Sequence, residues 1–147
     1  MASTASVSTH SLDHAPASTG LLVLLGRLFF ALIFLVAGPR HFMSQTIAYA
    51  ASQGAPLASI LVPFSGLLAI LGGLSILLGY RARVGAWLIA IFLIGVTPAM
   101  HKFWGVTDPM AFQIQFIMFM KNVSMLGGAL LIAHFGAGPW SLDARKR

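Results

Sequence analysis

Residues 112–135 read FQIQFIMFMKNVSMLGGALLIAHF. A bilayer core about 30 Å thick is crossed by roughly 20 apolar residues in a helix, so this run is long enough to span. It carries Lys121 and Asn122 near its middle. Three more stretches have the same character. Residues 20–37 read GLLVLLGRLFFALIFLVA and are interrupted by Arg27; residues 57–78 read LASILVPFSGLLAILGGLSILL, with Pro63 in the first half; residues 84–100 read VGAWLIAIFLIGVTPAM. The runs lack the alternation of a membrane β-barrel and exceed its strand length. The expected fold is all-α, a bundle of four transmembrane helices.

Composition agrees. Of 147 residues 58% are hydrophobic and 8% charged, against about a quarter charged in a soluble domain. Mean hydropathy is +0.88. Nine basic residues face three aspartates, with no glutamate and no cysteine. Disulfides and thiolate metal sites are therefore excluded. The net charge of +6 does not indicate nucleic acid, because the basic residues are scattered or sit at loop ends.

Those positions set an expected orientation. Arg81, Arg83, Arg145, Lys146 and Arg147 lie on one side, Arg40 and Lys102 on the other, so the positive-inside rule places both termini in the cytoplasm. The expected organisation is a disordered tail (1–19) rather than a signal peptide, a membrane domain (20–143) and a basic tail (144–147). In the 39–56 connection, Ile47, Tyr49, Ala50 and Ala51 suit a short interfacial helix ended by Gln53-Gly54 and Pro56. A weak echo between GPRHF (38–42) and TPAMHKF (97–103), and between the glycine pairs at 72–73 and 127–128, suggests two pseudo-repeated hairpins. The glycine pairs suit close helix contacts.

The chemistry-bearing candidates are cations at depth. By helical rise Arg27 lies about 10 Å inside one edge and Lys121 about 13 Å inside the other, so their levels differ by about 6 Å. All three aspartates lie outside the spans, which leaves neither cation a carboxylate at its level. Snorkelling, a neutral lysine, a water-filled cavity, or a ligand with an anionic or carbonyl group could each meet the cost. Asn122 adds an amide beside Lys121. His101 reads either as an interfacial histidine or as a proton acceptor at a cavity mouth. Trp104 and Phe103 suit the headgroup level, and Asp108 could pair with Lys102 or Arg40. Met100, Met110, Met118 and Met120 with His41 and His101 form no tight cluster, so no metal site is expected.

The stretches GRLFFALIFLVAG, AYAASQGAP, GGLSILLGYRAR, HKFW, MKNVSMLGGALL and GPWSLD occur in this order across the chain. In them the sequence resembles the DoxX family of small bacterial four-helix membrane proteins, over roughly residues 22–143. One departure is Ala69, where many relatives carry a glutamate ahead of the glycine pair. The resemblance implies a cytoplasmic (inner) membrane protein. In some members it is the small subunit of a thiosulfate:quinone oxidoreductase or a membrane partner of redox enzymes. Its polar and aromatic pattern positions fall on Arg27, His101, Trp104, Lys121 and Asn122.

The expected function is a membrane subunit or anchor of a redox complex. Arg27, Lys121 and Asn122 would hydrogen-bond the carbonyls of a quinone, and His101 and Trp104 complete the candidate ligand set. Such a chain is at most a non-catalytic or quinone-interacting subunit, its electrons coming from a partner. Two alternatives stay open: a small-solute transporter or lipid-binding protein using the midplane cations, and a purely structural anchor. The expected partners are the lipid bilayer, a soluble or membrane redox protein and further copies of the chain, with no nucleic acid.

Overall fold

The computed structural model describes residues 17–146, all helix, turn or loop, with no strand among them. Four long helices match the four expected spans: α1 (Ala17–Ala37), α3 (Ala58–Leu78), α4 (Ala82–Met100) and α5 (Pro109–Phe135). A 3-10 turn, Gly38–Phe42, continues α1, so that the first span runs from Ser18 to Phe42, beyond the expected end at 37. The expected tail at 1–19 falls mostly outside the described residues, but its last three residues are helical. The short helix expected in the 39–56 connection is α2 (Ser44–Ser52), closed at Gln53. Asp108 does not pair with Lys102 or Arg40. Its carboxylate caps α5 by accepting from Ala111 N at 2.7 Å, while Lys102 donates to the Gln53 carbonyl and ties the α4–α5 loop to the end of α2.

α3 packs on α1 and α4, and α4 on α5. The α1 and α5 backbones barely approach; the Phe30 ring bridges them by lying against Gly128. Phe34, Ala69, Ile76, Ala86, Ile89, Ala90, Leu93 and Ala129 form the buried core. Small residues set the α3–α4 crossing. A Cβ on Gly72 would stand 2.8 Å from the Gly85 carbonyl oxygen, too close for backbone to accommodate. Gly73 and Gly128 also meet neighbours, but Gly127 faces open space, against the expectation that both glycine pairs make contacts.

The end carrying the α3–α4 turn is closed by the C-terminal segment. Leu142 N donates to the Leu78 carbonyl (3.3 Å) and Asp143 N to the Gly79 carbonyl (2.8 Å). The Asp143 carboxylate accepts from Arg81 N (2.8 Å) and Ala82 N (3.1 Å), capping α4 from 61–62 residues away. Helix N-termini expose unpaired amides, and a carboxylate there satisfies both donors and dipole. The turn itself, Gly79-Tyr80-Arg81, holds no Ser, Thr, Asp or Asn, so the cap has to come from elsewhere.

Candidate functional site

Arg27 joins this clamp. It is 4% exposed, and its Nη2 donates to the Trp140 carbonyl at 2.5 Å. Its Nη1 lies where Gly79, in the left-handed region at φ +64°, has no Cβ. Asp143 is near enough to act on it electrostatically. One expectation changes here, and one of the open alternatives falls away. Arg27 has a carboxylate neighbour after all, because the C-terminal segment folds back to it. It also does not turn outward to solvent: Nε and Nη1 are buried without hydrogen-bond partners among the described residues.

Lys121 is elsewhere. Its side chain is exposed on α5, and Nζ contacts the Met118 sulfur at 3.2 Å. Arg27 and Lys121 share no contact, so the structure does not bring the two cations to one cavity. The next residue, Asn122, is 6% exposed and points inward. Trp104 is exposed and packs edge-on against Phe103 (5.3 Å between centroids) and Phe119 (6.2 Å). It belongs to an aromatic group at the α2 end of the bundle.

Among the described residues, Arg27 and Ser141 are the buried polar residues at the C-terminal-segment end; Thr97 and Asn122 lie in the half of the bundle nearer α2. The His101 Nδ1 and Gln115 Oε1 atoms lie 3.1 Å apart and link α4 to α5. This bond fixes the antiparallel register and sets Asn122 roughly opposite residue 94, about 5 Å in depth from Thr97. Thr97 extends the buried stripe Ile89–Leu93 by one turn; it is 6% exposed and its Oγ1 has no partner among the described residues. On the facing side the His41 ring lies 5.6 Å from Phe92, hence near the depth of Asn122. His41 Nδ1 is 3.2 Å from Ser65 Oγ, whose own hydrogen goes to the Val62 carbonyl at 2.7 Å. With the Ser65 hydrogen on the Val62 carbonyl, the Nδ1–H tautomer donates to Ser65 and leaves His41 Nε2 as an acceptor.

Along the bundle axis this seam places a hydroxyl, a carboxamide and an imidazole within about 8 Å of one another in depth. An unpaired buried hydroxyl such as that of Thr97 costs about 1–3 kcal/mol, so the arrangement favours a ligand bearing both acceptor and donor oxygens. Asn122 and His101 of the expected set belong to the seam; Arg27, Lys121 and Trp104 do not. His41 was weighed only as a metal ligand, and Ser65, Thr97 and Gln115 were missed. The periodic stripe Ile89–Leu93–Thr97 marked Thr97 as inward-facing. Among the described residues no group of three or more His, Cys, Asp or Glu side chains is placed to hold a metal. Ala69 sits in the core, 1% exposed.

Two open clefts lie at the opposite end, on either side of the C-terminal segment. One, of about 1030 Å³, is lined by Arg81, Arg83, Gly136 and Asp143. The other, of about 670 Å³, is lined by Leu24, Arg27, Trp140 and Arg145.

The DoxX family profile matches residues 22–102. Inner membrane protein YphA of Escherichia coli is 33% identical over 131 residues, covering 88% of this chain and 93% of its own. Inner membrane protein YqjF of the same organism is 32% identical, covering 82% and 88%. The yeast ER-derived vesicles protein ERV29 is 25% identical over 57% of this chain and 27% of its own length. No solved structure matches the chain at a significant level.

Proposed function

The chain belongs to the DoxX family of integral membrane proteins, and from that premise we propose that it is the membrane subunit of a redox complex. It holds a quinone headgroup in the seam of His41, Thr97 and Asn122. The observation that carries this reading is the buried, unpartnered hydroxyl of Thr97 on α4, with the buried Asn122 side chain on the facing helix α5. Packing does not explain the orphaned hydroxyl, and a hydroxyl beside a carboxamide suits a neutral ligand with carbonyl oxygens. Thr97 Oγ1 and the Asn122 amide donate to those oxygens. His41 Nε2 accepts from a hydroxyl of the reduced form, and the Ser65 contact holds its ring. When bound, the quinone supplies two-electron, two-proton chemistry, with electrons exchanged with a partner protein. Entry from the membrane is between α1 and α5, where side chains rather than backbones close the bundle. The expected orientation, both termini in the cytoplasm, sets the seam in the outer half of the inner membrane.

Titration of the purified protein with a short-chain ubiquinone analogue tests the reading. Asn122→Leu and Thr97→Val each remove one buried hydrogen bond and weaken binding about tenfold. Lys121→Met leaves binding unchanged. Equal affinity in wild type, Asn122→Leu and Thr97→Val overturns the assignment.

A further inference from the structure

Lys121 lies twelve residues from the start of α5 at Pro109 and fourteen from its end at Phe135, about 18 Å and 21 Å along the axis. Its depth is therefore close to the midplane of a 30 Å core. An extended lysine reaches about 6 Å, so the ammonium stops about 8 Å short of either headgroup layer. The side chain is exposed, and its one hydrogen-bond partner among the described residues is the Met118 thioether at 3.2 Å. Sulfur is a weak acceptor. A cation facing lipid at this depth costs at least about 2.5–3.5 kcal/mol, which a thioether does not offset.

The same face of α5 is shaped for a neighbour. Ser124 lies about 60° round the helix from Lys121 and Gly127 a further 60° on, along one inclined i, i+3 ridge; both are exposed, and a Cβ on Gly127 would meet nothing within 4 Å. Small residues in such a row let another helix backbone come close. The occupant is constrained by charge. A second copy of this chain brings Lys121 against Lys121, and it has no carboxylate to offer at that depth. Asp108 and Asp143 cap helix ends, and Asp13 precedes the first span. Lipid phosphates are too far away. We infer that the Lys121–Ser124–Gly127 face of α5 docks a transmembrane helix of a different protein, one that presents an aspartate or glutamate near the membrane midplane. The inference does not rest on the quinone reading, because Lys121 is outside the seam.

The test uses the full chain reconstituted in vesicles of zwitterionic lipid with labelled polyleucine transmembrane peptides. These carry Glu, Leu or Lys at the centre, and association is read by energy transfer. The Glu peptide associates about tenfold more tightly than the Leu peptide. Lys121→Met abolishes that difference, and Lys121→Glu reverses the preference towards the Lys peptide. Indifference to the central residue, or a Glu preference that survives Lys121→Met, overturns the inference. So does self-association of labelled copies that competes with the Glu peptide and is lost in Lys121→Met. A quinone titration that fails alongside a retained Glu preference separates this inference from the function proposed above.

Discussion

Asp143→Ala is the substitution that most exposes how the bundle is closed. The carboxylate accepts two backbone amides at the start of α4 and lies in the field of the buried Arg27. Losing an N-cap costs about 0.5–2 kcal/mol. Removing a counter-charge from a buried guanidinium adds to this, so the sum is about 2–3 kcal/mol. At this chain size a kcal/mol corresponds to about 3–4 °C in midpoint, and the thermal transition in detergent should fall by about 6–12 °C. Asp143→Asn keeps an acceptor but not the charge and should fall about half as far. Hydrogen exchange supplies the local readout: the Arg81 and Ala82 amides should lose protection in Asp143→Ala while mid-α4 amides keep theirs. Because Arg27 and Asp143 act on one segment, Arg27→Met should cost less in the Asp143→Ala background than in wild type. Unchanged protection at Arg81 and Ala82, or additive effects of the two substitutions, would refute the clamp.

Other outcomes follow from the same geometry. Gly79→Ala should destabilise by about 2 kcal/mol or more, since the position is left-handed and its Cβ site is taken by the Arg27 guanidinium; the thermal midpoint measures it. Thr97→Val removes a buried unpartnered hydroxyl and should raise the midpoint of the ligand-free protein slightly, by about 1 kcal/mol equivalent, while reducing the stabilisation a quinone analogue confers. A phosphatase reporter fused after Arg147 should be inactive and a cytoplasmic reporter active, because the basic residues concentrate on that side; periplasmic activity would reverse the orientation.

The four spans were legible because length and apolarity alone specify a membrane helix, and α2 because Gln53-Gly54 and Pro56 mark its stop. The side each residue faces was not. α5 is apolar nearly all round, so no periodicity separated Lys121, which points out, from Asn122, 100° further round and buried. The depth arithmetic for Arg27 and Lys121 compared levels along the axis, whereas contact also needs a shared face. The Arg27 environment was hidden for a different reason. It depends on a segment more than a hundred residues away folding back onto the α3–α4 turn. The missing cap residue before α4 was the one local sign that something distant had to arrive. His41 was read only as a loop residue and candidate metal ligand because the first span was expected to stop at 37, whereas a 3-10 turn carries the span to Phe42.

Photoaffinity labelling tests the central claim, that the seam takes a quinone headgroup. A photoactivatable quinone analogue is irradiated with the purified protein, and the labelled residues are mapped by mass spectrometry with and without excess unlabelled quinone. Saturable, competed labelling confined to Phe92–Thr97 of α4, Gln115–Asn122 of α5 and the neighbourhood of His41 is the result the account predicts. Competed labelling at the Arg27–Trp140 end of the bundle, or labelling that excess quinone does not reduce anywhere, would contradict it.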